Sequence, residues 1–247
     1  MCTLTFSPQR SGFLVVMNRD EQRSRVAAYP PTSRQLGNRH ALFPSEPSGG
    51  TWIGLNDTGV VFALLNWYSI PSRPLAFPIS RGTIVPTLLA QSVPHVAGHQ
   101  LTTLALDQIQ PFRTVGIFPA SEGGQVREWR WDGEALVTVD HPWKIEHWIS
   151  SGADESGAEL ERRQCFARHS TGADNGTKDW LIRLHASHEP APGPTSICVH
   201  RVDAATVSQT RIGWADGSGW MEYVEGSPCE SRQPPHAARL PRTGDAG

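Results

Sequence analysis

The sequence predicts an α+β sandwich, with two β-sheets packed together and helices on the outside. Three observations carry this expectation. Strands begin at the third residue, one central run is apolar on both faces, and the elements alternate as strands, two helices, strands, two helices, strands. Residues 3–6 and 12–17 are apolar runs joined by Ser7-Pro8-Gln9-Arg10-Ser11, turn-prone residues of hairpin length. Tyr29-Pro30-Pro31 and Phe43-Pro44-Ser45-Glu46-Pro47-Ser48-Gly49-Gly50 bracket a stretch read as loop, because proline removes a ladder donor. Residues 52–55, the turn Asn56-Asp57-Thr58-Gly59 and residues 60–65 form a second hairpin, apolar enough to be covered on both faces.

Apolar residues then recur at helical spacing over residues 82–92 (Ile84, Leu88, Leu89) and 96–108 (Leu101, Leu104, Ala105). Runs at 114–118, 126–131 and 135–139, separated by glycine-containing turns, predict a meander. A second helical pair follows at 155–169 and 178–187, carrying Leu160, Cys165 and Phe166, then Trp180, Leu181 and Leu184, and is stopped by Pro190-Ala191-Pro192-Gly193-Pro194. Residues 196–200, 206–212 and 220–224 read as closing strands. From residue 227 the chain is rich in Pro, Arg, Ser and Gly, so the expectation is one domain over 1–226 and a disordered tail over 227–247.

Composition narrows the function. At 38% hydrophobic, 247 residues bury a substantial core, and a net charge of −2 with only short basic clusters such as Arg162-Arg163 argues against nucleic acid. No apolar run approaches the roughly 18 residues that span a bilayer, and Ser7 to Arg10 interrupt any signal-peptide pattern, so a cytoplasmic protein is expected. Four scattered cysteines without Cys-x-x-Cys spacing indicate neither a disulfide framework nor a zinc ribbon. His95 and His99 lack a third ligand, and His185, His188 and His200 read as surface histidines, so no metal site is assigned. Cys198 reads as a buried, inert thiol.

The amino terminus carries the chemistry. Removal of Met1, favoured by a small second residue, leaves Cys2 with a thiol and a free amine on one carbon. An α-amine of pKa about 7.7 to 8.0 is neutral often enough to take the thiol proton, so one residue supplies nucleophile and base. If Leu4 lies opposite Val16, Cys2 lies opposite Asn18, Asp20 follows on the same face, and Arg19 starts on the other; a slip of one residue reverses the faces. A solvated strand end is the competing reading of Asn18-Arg19-Asp20-Glu21. Gly49-Gly50-Thr51-Trp52-Ile53-Gly54 lacks the Gly-Lys-Ser/Thr ending of a phosphate loop and reads as a close backbone approach beside the site, with Trp52 as core rather than substrate platform.

Met1-Cys2-Thr3-Leu4, Asn18-Arg19-Asp20-Glu21 and Gly49-Gly50-Thr51-Trp52-Ile53-Gly54, in that order, resemble the NRDE family that includes transport and Golgi organisation protein 2. Leu64-Leu65-Asn66-Trp67-Tyr68 and Thr195-Ser196-Ile197-Cys198-Val199-His200 are similar to family segments as well. That family is similar in turn to N-terminal nucleophile hydrolases of the penicillin V acylase and bile salt hydrolase type. The resemblance implies a four-layer αββα sandwich, Cys2 as nucleophile, Arg19 and Asp20 as the pair that positions it, and Asn66 near the oxyanion. Asn18, Ser151, Trp52 and His200 are further candidates, Ser151 for an oxyanion donor, and Arg201 and Arg211 stand by position for a second arginine. The expected function is hydrolysis of a small-molecule amide or acyl substrate without a metal or organic cofactor. The alternative is a non-catalytic module binding haem or an acyl lipid.

Overall fold

A computed structural model of the chain describes residues 2–121 and 123–240. Its elements run β1 (Cys2–Gln9), β2 (Gly12–Gln22), β3 (Tyr29–Leu36), β4 (Arg39–Ser45), β5 (Ile53–Asn56), β6 (Val61–Asn66), α1 (Ile84–Leu88) and α2 (Pro94–Thr102). There follow β7 (Phe112–Pro119), β8 (Gly124–Trp131), β9 (Leu136–His141), β10 (Glu146–Ser150), α3 (Glu155–His169) and α4 (Lys178–His185). β11 (Ala204–Ala215), β12 (Ser218–Glu225) and β13 (His236–Arg239) close the chain. One sheet is a meander in sequence order from β3 to β9, whereas the other has the order β10-β1-β2-β11-β12-β13.

Three packing layers follow from strand alternation. Leu4, Phe6, Val15 and Met17 of the first hairpin meet Ile53, Val61, Ala63 and Leu65 between the sheets. The intervening residues Phe62 and Leu64 face α1 and α2 with Ile84, Leu88, Leu89 and Leu101, so β6 is covered on both faces, as its apolar run predicts. On the outer face of the other sheet, Val16 packs against Cys165, Trp180, Leu181 and Leu184 of α3 and α4. The result is the four-layer αββα sandwich. Asp154 caps α3 by accepting from the Gly157 amide at 2.9 Å, and Thr177 caps α4 through the Trp180 amide at 3.2 Å.

Several local expectations change. The segment read as loop contains β3 and β4, and the prolines are tolerated because β3 is an edge strand with a register shift between Tyr29 and Thr32, opposite Pro44. β10, a five-residue edge strand, is too short for its alternation to stand out. α1 and α2 are shorter than their spacing suggests. Residues 196–200 make only an isolated bridge, His200 with Ala205. Within the segment expected to be disordered, β13 pairs with β12 and Leu240 is buried; residues 241–247 lie outside the described residues. No described helix is long and apolar enough to cross a membrane.

Candidate active site

The first hairpin turns at two residues, Arg10 and Ser11, with Gln9 opposite Gly12. This tight turn sets the register one residue away from the expected one: Leu4 pairs with Met17 and Cys2 with Arg19. Faces therefore exchange. Cys2 and Arg19 share the face toward the other sheet, and Asn18 turns to the helical layer. There its amide donates to the backbone carbonyls of His185 at 2.7 Å and Ile197 at 3.1 Å. Asn18 is fully buried and ties the end of α4 to the segment at Ile197, outside the cleft lining.

Cys2 is 7% exposed and lines a cleft of about 240 Å³ with Arg19, Asp20, Trp52, Asn66 and Arg81. Asp20 reaches both sides of the sheet. Burial pushes the Cys2 thiol up, the Asp20 carboxylate adds to this, and Arg19 with a hydrogen bond from the Asp20 backbone amide pulls the other way. The Asp20 carboxylate accepts from the Thr206 hydroxyl at 2.6 Å and lies 3.7 Å from the guanidinium of Arg162. The β2–β11 register shifts between Thr206 and Ser208, opposite Asp20 and Arg19, and such bulges re-aim side chains. Burial raises the Asp20 carboxyl against the opposing effects of Arg162 and Thr206.

Arg162 is the buried arginine that the sequence reading missed. It is fully enclosed, donates to the Thr3 hydroxyl at 2.7 Å, and reaches the carbonyl of Thr195 at 3.3 Å. Its one signal is periodicity: Ala158, Arg162 and Cys165 are the buried residues of α3, so the arginine stands within the inward stripe. Arg19, expected to position Cys2 together with Asp20, places its guanidinium 2.6 Å from Glu46 and 4.4 Å above the Trp52 ring. Glu21 and Glu46 each also meet Arg25 at 3.0 Å, which completes a network of alternating charge at the rim. Trp52 is 5% exposed, both core and cleft wall.

The glycine-rich loop does approach backbone. A Cβ on Gly50 would meet the Gly82 Cα at 3.2 Å, and the Thr51 amide donates to the Gly82 carbonyl at 3.0 Å. Thr51 and Gly82 both line the cleft. Next to them Arg81, another residue the sequence reading did not single out, donates to the Pro111 carbonyl at 2.9 Å. Among the described residues it makes no ion pair. Asn66 lines the cleft and donates to the Tyr68 hydroxyl at 2.8 Å.

Ser151 is buried just beyond β10, but it is Ser150 that pairs with Cys2 across the strands. The Ser150 hydroxyl has no hydrogen-bond partner among the described residues. His200 stands apart from the cleft lining, with its Nε2 3.1 Å from that of His188. Arg201 pairs with Asp203 and Arg211 with Glu222. His185, read as a surface residue, is fully buried, with its Nε2 2.9 Å from the Thr5 hydroxyl. Met1, whose removal the chemistry needs, lies outside the described residues.

The family model described as Transport and Golgi organisation 2 matches residues 1–119, a span that holds all three ordered motifs. No curated protein matches the chain. Among solved structures the chain is similar to the C2A mutant of the conjugated bile acid hydrolase from Clostridium perfringens. The TM-score is 0.61 at 10% identity, over 97% of this chain and 92% of that one. It is also similar to penicillin V acylase from Agrobacterium tumefaciens, with a TM-score of 0.53 at 13% identity, over 99% of this chain and 87% of that one. At such identities the likeness is one of fold, the sandwich of N-terminal nucleophile hydrolases.

Proposed function

We propose that this chain, which resembles the Transport and Golgi organisation 2 family over residues 1–119 and has an N-terminal nucleophile hydrolase fold, is a cytoplasmic cysteine amidohydrolase acting on a small molecule. The observation that carries the reading is the placement of Cys2 on the wall of an open cleft, with the Asp20 amide directed at its sulfur. Met1 is removed, and the new amine of Cys2 accepts the thiol proton. The thiolate then attacks the amide carbonyl carbon. The protonated amine returns that proton to the leaving nitrogen, the C–N bond breaks, and a thioester on Cys2 remains. Water, deprotonated by the same amine, attacks the thioester and releases the carboxylate and the thiol.

Asp20, braced by Arg162 and Thr206, orients the amine, and Arg19 closes the cleft over Trp52. Asn66, which lines the cleft, or Ser151 supplies the oxyanion donor in this scheme, holding the oxygen more tightly as charge develops. Arg81, without a carboxylate partner among the described residues, favours a substrate that carries an anionic group. A panel of acyl amides, with and without a carboxylate, tests the scheme on protein whose amino terminus has been mapped by mass. Turnover that survives Cys2→Ala, or quantitative retention of Met1 in active protein, would falsify it.

A further inference from the structure

We infer that His188, Cys198, His200 and Cys229 form a structural zinc site. Their four donor atoms all lie within 4.8 Å of one another. Nε2 of His200 is 3.1 Å from Nε2 of His188, 3.2 Å from Sγ of Cys229 and 3.7 Å from Sγ of Cys198, and the two sulfurs are 3.4 Å apart. Zn–S bonds of about 2.3 Å and Zn–N bonds of about 2.0–2.1 Å at tetrahedral angles put ligand atoms roughly 3.3 to 3.8 Å apart. These four separations fall within a few tenths of an ångström of that spacing.

Hydrogen bonding alone does not explain the convergence. An imidazole Nε2 has one lone pair or one N–H and serves one partner, yet three donor-type atoms crowd that of His200. A cation at the centre satisfies all four at once.

The ligands come from three segments that backbone bonds already bring together. The Cys198 amide donates to the Ser187 carbonyl at 3.0 Å, beside His188 at the end of α4. The Gly226 amide donates to the Val207 carbonyl at 2.8 Å, which holds the turn that carries Cys229 against β11. Cys198 and His200 are alternate residues of one extended stretch, and Val199 between them donates to the Thr206 hydroxyl at 2.8 Å. That hydroxyl is the donor to Asp20. With four protein ligands the site has no open position for catalysis. It staples the segment after β12 to the layer behind Asp20.

The test is metal analysis of the reduced full-length chain, produced without a histidine tag and supplied with Zn²⁺. Expected are about one zinc per chain and, after exchange for Co²⁺, the visible absorption of a tetrahedral cobalt thiolate. Cys229→Ser and His200→Ala should lose the zinc while circular dichroism remains that of the folded protein, and Cys2→Ser should keep it. Removing the metal from the unaltered chain should lower the thermal midpoint by roughly 5 to 10 °C, restored by Zn²⁺. Substoichiometric zinc without the cobalt thiolate band, full zinc content in Cys229→Ser, or recovery of a Cys198–Cys229 disulfide peptide from metal-free native protein would each overturn the assignment. Because metal content is read without substrate, this result is independent of the proposed hydrolysis.

Discussion

The two helical layers of the sandwich are built from opposite materials. Between α1/α2 and the meander sheet, Phe62, Phe112, Phe118 and Trp129 pack with Ile84, Leu88 and Leu101 into an apolar layer. Between α3/α4 and the other sheet, apolar Trp180 and Leu184 share their space with buried Asn18, Asp20, His147, Arg162 and His185. Burying polar groups costs stability unless their partners are good, and Arg162 sits at 3.7 Å from Asp20 rather than in a close ion pair. Glu128 shows what a close set looks like. Burial alone would raise it, yet His141, Arg130 and Arg113 hold it at about 2, with Arg113 at 2.6 Å and Arg130 at 2.8 Å. The polar layer trades cohesion for control of the residues behind the cleft.

Breaking the apolar layer should cost most. Phe62→Ala, which removes a fully buried ring beside Phe118 and Trp129, is expected to destabilise by about 4 kcal/mol in urea unfolding, with turnover per folded molecule retained. Asp20→Asn should do the reverse. Its carboxyl is raised by burial, so the folded state binds this proton more tightly than the unfolded chain does, and ionisation opposes folding as pH rises. The amide should lower kcat roughly 10²-fold while leaving unfolding free energy at neutral pH equal or higher. A kcat loss matched by an equal stability loss would make Asp20 a packing residue.

The third test is acid. His147 and His185 are depressed from 6.5 to about 3, chiefly by burial. The unfolded chain therefore binds their protons first, and the stability they support is present above pH 6.5 and lost as pH falls toward 3. Each should contribute roughly 2 kcal/mol of loss between pH 6.5 and 5, and His147→Phe should remove its share from the pH profile of urea unfolding. The smallest effect falls on the cleft: Arg81→Met should raise KM about 10-fold for an anionic substrate, some 1.4 kcal/mol, and leave a neutral analogue unchanged.

The apolar layer was readable from the sequence because its signal is periodic. Leu88 and Leu101 mark their helices, and the double-sided apolar run at β6 announces a buried strand. α3 was readable to its ends, since Leu160, Cys165 and Phe166 keep helical spacing. The polar layer was only half legible. Cys2 and Asp20 stood out by motif, but the faces depended on a two-residue turn that Ser7-Pro8-Gln9 disguised as a longer one. Arg162 stood out only as half of a short basic pair, because a charge in an inward stripe breaks the pattern that would identify it. Ser150, His200 and Cys229 gain meaning from pairings across the sheet or between loops, which no local spacing encodes.

The two sheets also differ in when they can exist. The meander closes between neighbours in the order of synthesis, so each strand finds its partner as soon as it leaves the ribosome. The other sheet pairs β2 with β11, bringing Asp20 beside Thr206 from the far end of the chain. Such distant pairing is slow and waits for most of the polypeptide. During translation the half-built molecule therefore carries Cys2 on an unpartnered hairpin, and the contact between Asp20 and Thr206 behind the cleft forms only when the last strands arrive.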